Sequence, residues 1–233
     1  MGTRRSSGRL LRLGAGVLSA VALLPLSLPV PKAGWFAPSM ASAAAFVVNI
    51  TSDTVDSAPG NGICADAGGS CSLRAAIQEA NALPGPDTIN LAAGTYLLTI
   101  PGAAEDAAAT GDLDITGDLT ITGAGSVSTV IEGNGVVTGD RVLHVVASTP
   151  VVQLSGVTIQ GGRAPSAATG GGIYNAGQLT FSDVKVLANI AGVPGDLSGA
   201  VAGGVHNSAG ASLIATNSAI SGNTAHRLGG GLV

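Results

Sequence analysis

Three aspartates in the segment GDLDITGD are the residues of this sequence best placed to do chemistry. Asp112 and Asp114 are two positions apart, so on a β-strand their side chains share one face, and Asp118 follows closely. Arg141 comes about one structural repeat later. Carboxylates converging on Ca²⁺ with an arginine to accept a proton suit a polysaccharide lyase, and paired aspartates suit a hydrolase. These four residues are the candidate acidic site.

An ordinary structural role explains the same aspartates more simply. Asp112 and Asp118 each follow a glycine, which is common in turns, and a solvated aspartate on an outer face needs no function. His144, His206 and His226 are interpreted as solvated too, because none has a glutamate or second histidine at metal-binding spacing. We therefore predict no catalytic residue and no metal ligand.

A calcium site in the loops near the start of the mature chain is the other chemical possibility. It would use Asp53, Asp56 and Asp66. These positions lack the dense alternation of Asp and Asn found in calcium loops, so a solvated acidic loop is the simpler interpretation. We expect no cofactor, with Ca²⁺ as the alternative.

The first 45 residues predict export. Four arginines precede a mostly apolar run over 13–30, and small residues over 41–45 offer cleavage sites between Ala43 and Phe46. Pro25 and Pro29 interrupt the run, which argues against a membrane anchor, and the residues after Arg4-Arg5 do not fit a twin-arginine signal. We expect an extracellular or cell-surface protein with no transmembrane segment in the mature chain.

The charge of the mature chain disfavours nucleic acid as a partner. Five basic and all fourteen acidic residues follow position 45, so its net charge is −9. Binding to nucleic acid or to an anionic membrane requires clustered lysines and arginines, and the remaining basic residues are scattered.

The only two cysteines, Cys64 and Cys71, are predicted to form a disulfide. Export brings them into an oxidising compartment, where the bond would close a short loop. Two cysteines cannot build a structural zinc site alone, and no histidine lies near them in sequence.

A short amphipathic helix follows the second cysteine. Its apolar face contains Leu73, Ile77 and Ala80, Ser72 stands at the N-cap position, and Asn81 followed by Pro84-Gly85-Pro86 is expected to end it. The segment FVVNIT at 46–51 is predicted as a strand. Because so short a helix is unstable alone, we expect residues 46–86 to form a cap over the open edge of the following strands.

Residues 87–233 predict stacked coils of short strands. The segments 152–164, 179–191 and 213–225 align without gaps, at intervals of 27 and 34 residues. Such periods in a glycine-rich, strand-rich chain indicate a β-solenoid, and the aromatic signatures of a β-propeller are missing. No second helix is visible in the pattern.

Matching turn positions in these repeats contain asparagines. Asn175 pairs with Asn207 and Asn189 with Asn223, so we expect hydrogen-bonded ladders between coils. Since position 233 falls inside a repeat, we expect a longer natural polypeptide and end-to-end self-association of this fragment.

The segment CSLRAAIQEAN at 71–81, with Cys64 before it and LPGPDTINLAAGTYLL after it, resembles the CSLREA-type N-terminal domain of exported bacterial proteins. The later segments GDLDITGDLTITGAG, DRVLHV and GGGIYN resemble the right-handed parallel β-helix that commonly follows it. The resemblance implies an all-β, right-handed parallel β-helix with a capping helix, and the repeats predict that it is incomplete at its C-terminal end. Ala75 replaces the family's glutamate, so only half of a capping box is expected.

The resemblance implies no established reaction. GGGIYN and FSDVKVLAN also resemble, more weakly, repeats of polymorphic outer-membrane adhesins. The favoured hypothesis is an exported, non-catalytic scaffold or adhesin-like protein whose unknown partner is a carbohydrate or a surface protein. The alternative is a carbohydrate-active enzyme, like a pectate lyase or a polysaccharide hydrolase, with catalytic coils beyond residue 233.

Overall fold

The computed structural model describes Gly2 and residues 42–103, 105–147, 149–195 and 199–233. The predicted signal peptide therefore lies, apart from Gly2 and residues 42–45, outside the described residues. No helix in the described part is long and apolar enough to cross a membrane.

Short parallel strands form three sheets that run along a solenoid of about four turns. Strands are numbered along the chain. Sheet A contains β1 (Ala45–Val47), β2 (Asp87–Asn90), β3 (Gly94–Leu97), β5 (Leu119–Thr122), β6 (Thr129–Glu132), β8 (Val151–Gln160), β11 (Gln178–Leu187), β14 (Ser212–Thr216) and β15 (Ala219–Ser221). Sheet B contains β4 (Leu113–Ile115), β7 (Leu143–Val145), β10 (Ile173–Asn175) and β13 (Val205–Asn207). Sheet C contains β9 (Arg163–Ala164), β12 (Ile190–Ala191) and β16 (Thr224–Ala225).

The register of sheet A follows the sequence repeats. Ile159 pairs with Val186, and Val186 pairs with Ile220, as the gapless alignment of the repeats predicts. From β8 onward the chain passes from sheet A through sheet C to sheet B and returns to sheet A one level further along the stack. The predicted parallel β-helix is confirmed.

The core consists of apolar columns inside the coil. Ile89, Ile121, Leu154 and Phe181 are consecutive register partners across β2, β5, β8 and β11, and none is more than 1% exposed. Each such side chain contributes about 1.5–3 kcal/mol when fully buried. Since one coil cannot enclose these side chains alone, stacking provides the stability.

Two local predictions were wrong. The strand expected over 46–51 ends at Val47, because the backbone amides of Asn49 and Ile50 both donate to the carbonyl oxygen of Cys71. A second helix also exists: α2 (Gly135–Thr138) is a single turn that follows Asn134 in a left-handed conformation. Its β-branched residues gave no helical periodicity.

The cap helix, α1, spans Leu73–Ala82. The Ser72 hydroxyl accepts a hydrogen bond from the Ala75 amide at 3.0 Å, as the N-cap prediction requires. Leu73, Ile77 and Ala80 are buried against the first coils, as predicted.

The helix ends at Ala82, one residue after Asn81 and before Pro84-Gly85-Pro86, close to the predicted end. The side-chain amide of Asn81 donates to the carbonyl oxygen of Asp114 at 2.7 Å and accepts from the Thr116 amide at 3.0 Å. The residue that looked like a terminator therefore attaches the cap helix to β4 and the turn after it.

Arg74, on the same helix, is fully buried and forms an ion pair with Asp53 at 2.6 Å. Its guanidinium also donates to the carbonyl oxygens of Ala108, Gly111 and Asp112. One Asp53 oxygen accepts further hydrogen bonds from the backbone amides of residues 99 and 100. This network connects the cap helix, the loop before it and the loop leading into β4.

Two further polar side chains of α1 hold the cap loops. Gln78 accepts from the Asp56 amide and donates to the Ala108 carbonyl oxygen. Glu79, which is fully buried, accepts hydrogen bonds from the backbone amides of Gly60 and Gly62.

Both asparagine ladders are present. The Asn175 side-chain amide donates to Asn207 at 2.7 Å, and that of Asn189 donates to Asn223 at 3.0 Å. The last coil presents apolar surface, with Ile214 60% exposed. End-to-end association through this coil stays a prediction.

Cys64 and Cys71 are joined by a disulfide, with their Cα atoms 5.1 Å apart. Within the loop that the bond closes, one Asp66 carboxylate oxygen accepts hydrogen bonds from the amides of Gly68 and Ser70. The bond fixes this loop directly before the N-cap of α1.

We predict that Arg74→Met destabilises the protein by about 3–5 kcal/mol, because it leaves Asp53 buried without a counter-ion. Arg227→Met, which removes an exposed arginine, is the matched control and should change stability by less than about 0.5 kcal/mol. Urea unfolding followed by circular dichroism measures both. Equal midpoints for the two variants would contradict a structural role for the buried pair.

We also predict no free thiol in exported protein under denaturing conditions. Replacing both cysteines by serine should lower stability by about 2–3 kcal/mol, the chain-entropy contribution of a loop this short. Thiol titration and urea unfolding check the two statements. Two reactive thiols per chain would refute the first.

Candidate functional site

Four polar side chains form a column on the outer face of sheet B. Asp114 pairs in register with His144, His144 with Tyr174, and Tyr174 with His206. Their neighbours along each strand, such as Leu113 in β4, point into the core. Strand alternation therefore directs one polar residue outward per coil, and parallel stacking aligns them.

The aromatic part of this column is in close contact. The His144 and Tyr174 rings meet edge to face with centroids 5.1 Å apart, and the Tyr174 and His206 rings stack at 5.1 Å. Arg141 lies over the Tyr174 ring, with its Cζ atom 5.4 Å from the ring centroid, at the distance of a cation–π contact.

Arg141 also faces two carboxylates. Its Nε atom is 2.8 Å from an oxygen of Asp112 and 3.5 Å from an oxygen of Asp140. The candidate acidic site is therefore assembled in part, because Asp112, Asp114 and Arg141 are neighbours. Asp118 does not belong to this group of neighbours. Its carboxylate accepts a hydrogen bond from the backbone amide of Val151, at the start of β8 in the next coil.

The loop before β4 adds Asp106. The Nδ1 atom of His144 lies 3.0 Å from Asp114 Oδ1 and 3.4 Å from Asp106 Oδ1. The three donor atoms lie within 4.8 Å of one another, a spacing at which they could hold a metal ion.

Burial and repulsion shift the proton affinities of the two central aspartates. Burial, followed by the charges of Asp114 and Asp140, raises the pKa of Asp112 to about 9, against the opposing effect of Arg141. Burial raises the pKa of Asp114, while hydrogen bonds from His144 and the Ala108 amide oppose this.

The interpretation of the candidate aspartates as solvated was wrong for Asp112 and Asp114, which are 2% and 0% exposed. The loop that Arg74 holds covers them, and sequence spacing gives no sign of that cover. His144 is also less solvated than expected, with its side chain 13% exposed, and stacking places it beside carboxylates that its spacing along the chain does not reveal. The signal was available: the four column residues occur at intervals of 30, 30 and 32 residues, close to one coil.

The possible calcium ligands do not converge. Asp53 is paired with Arg74. Asp56 accepts hydrogen bonds from the amides of Ala58 and Ala65, and Asp66 accepts one from the amide of Gly68 within its own turn. Among the residues that the structure describes, the Asp106, Asp114 and His144 group is the metal-compatible cluster.

Two clefts open beside the site. A cleft of about 440 Å³ lies against sheet B and is lined by Arg141, His144, Tyr174 and the segment 167–169. A second, of about 420 Å³, lies between α1 and the loop before β4, where Asp106 lines it. The three potential metal ligands therefore stand between two solvent-accessible spaces.

No protein-family model, no curated protein and no solved structure matches this chain.

We predict that His206 makes stability depend on pH. Burial, followed by the charge of Arg141, lowers the pKa of His206 below 6.5, so the unfolded chain takes up this proton first as pH falls. The contribution of neutral His206 to stability is therefore complete above about pH 6.5 and is lost as the pH falls through the pKa of His206 in the folded protein. Melting temperatures at pH 7 and at about pH 5 should differ less in His206→Gln than in the wild type. Identical differences would contradict this contribution.

Proposed function

We propose that this chain belongs to an exported, non-catalytic, adhesin-like β-helix protein that binds an extracellular carbohydrate on the outer face of sheet B. The observation that carries the proposal is the open cleft against the column of polar and aromatic side chains. Binding sites commonly combine such concavity with a few convergent polar groups.

The chemistry of the cleft suits a sugar. Arg141 supplies charged hydrogen-bond donors, and Tyr174 together with the flanking imidazoles supplies ring edges and polar tips. These side chains stand on consecutive strands of one sheet, which is a rigid support. A repeating polysaccharide could follow the stack, because each coil adds one outward residue to the column.

Burial of the carboxylates favours binding over catalysis. Asp112 and Asp114 are no more than 2% exposed, and their oxygens face Arg141, His144 and the Ala108 amide. A carboxylate that transfers a proton to substrate must come within hydrogen-bond reach of it. These two do not reach the cleft surface.

Export is supported by two independent features. The arginine-rich, apolar N-terminus with small residues over 41–45 has the order of a secretory signal. The disulfide is of the kind that persists outside the cytosol.

The binding test measures affinity for a panel of neutral and acidic polysaccharides by isothermal titration calorimetry. We expect Tyr174→Ala to weaken binding by about tenfold, equivalent to about 1.4 kcal/mol, and Tyr174→Phe to retain most of it. Lys185→Gln, on β11 of sheet A, is the control for a residue outside the cleft and should bind as the wild type does. Equal affinity of Tyr174→Ala and the wild type would place the binding surface elsewhere.

A carbohydrate-active enzyme is the second candidate, and one observation favours it. The raised pKa values of Asp112 and Asp114 beside an arginine resemble the environment of catalytic acids. Incubation with polyuronates and neutral polysaccharides, followed by assays for new reducing ends and unsaturated products, tests this candidate. Turnover that Asp114→Asn abolishes would establish it over the binding protein.

A further inference from the structure

We propose that Asp106, Asp114 and His144 form a binding site for a divalent transition-metal ion of the zinc type. The ligands come from three places in the fold: β4, the neighbouring β7 of the next coil, and the loop that crosses in front of both. Stacking brings the two strand residues together, and the loop adds the third.

The two donor separations from His144 fit an ion of this size. Zinc-type ions form bonds of about 2.0–2.2 Å to imidazole nitrogen and carboxylate oxygen. Adjacent ligand atoms then lie about 2.8–3.6 Å apart, with the shorter separations in octahedral and the longer ones in tetrahedral coordination. The separations from His144 Nδ1 are 3.0 Å to Asp114 and 3.4 Å to Asp106. An imidazole with two carboxylates favours zinc-type ions over Ca²⁺, whose ligands are oxygens.

The local charge also favours a cation. Glu105 and Asp106 lie beside Asp114, whereas Arg141 lies against Asp112 and Asp140. Among the residues that the structure describes, neither Asp106 nor Asp114 has a lysine or arginine within salt-bridge distance. A divalent ion would offset two carboxylates held close together.

The fold holds the ligands in position. The second oxygen of Asp114 accepts a hydrogen bond from the Ala108 amide at 2.9 Å, and the Asn81 side chain holds the Asp114 carbonyl oxygen. His144 is packed against Tyr174. Such outer contacts orient metal ligands and tune affinity.

The ligand set leaves room for exchange. Asp106 is on the surface and lines the cleft beside α1, and His144 lines the cleft against sheet B. An ion bound by three protein groups keeps at least one position open for water or for an oxygen of another molecule. This inference does not depend on carbohydrate binding, because Zn²⁺ alone is the ligand tested.

The competing explanation is that the Nδ1 atom of His144 simply makes a hydrogen bond to these carboxylates, without an ion. The experiment titrates the full chain, freed of metal by a chelator, with Zn²⁺ in a calorimeter and with Co²⁺ followed by visible absorption. We expect one saturable site per chain and a rise in melting temperature with Zn²⁺ concentration.

Asp106→Asn and His144→Ala should each weaken Zn²⁺ binding more than tenfold. Asp106 is 66% exposed, so its variant tests the site without disturbing the core. His226→Ala, a histidine of the last coil, is the matched control and should bind Zn²⁺ as the wild type does. Failure to saturate, or unchanged affinity in both site variants, would overturn the proposal.

Discussion

The buried ion pair between Arg74 and Asp53 is the interaction on which the site depends. A buried guanidinium costs several kcal/mol unless its charge and donors are satisfied. Here a carboxylate and three carbonyl oxygens satisfy it, and those carbonyls belong to the loop that covers Asp112 and Asp114. The helix that packs on the first coils of the solenoid thus also shapes their surface.

The loop that covers Asp112 and Asp114 contains residues with unusual backbone conformations. Ala108 is fully buried with a φ of 54°, in the left-handed region that L-residues rarely occupy. Gly111 has a φ of 59°, and a Cβ atom there would lie 2.0 Å from the Gly102 carbonyl oxygen. The Ala108 amide and carbonyl oxygen contact Asp114 and Arg74 respectively, so cap and candidate site share one strained residue.

Parallel stacking is the second constraint. Because each coil repeats the same path, residues at equivalent positions of successive coils stack into a column, whether they face inward or outward. The inward columns are apolar and supply stability, as with Ile89, Ile121 and Leu154. The outward column on sheet B collects Asp114, His144 and Tyr174 instead. The same geometry therefore produces the core, the asparagine ladders and the polar cleft.

The sequence alone determined the solenoid, the disulfide and the apolar face of the cap helix. These follow from local rules: strand alternation, a repeat in phase, two cysteines seven positions apart and the spacing of Leu73, Ile77 and Ala80. Only the tertiary structure decided the burial of Arg74, the role of Asn81 and the meeting of Asp106 with His144. Each depends on contacts between residues more than 30 positions apart, which coil stacking and the loop held by α1 bring together. Local pattern carries no information about such contacts until the number of residues per coil is known.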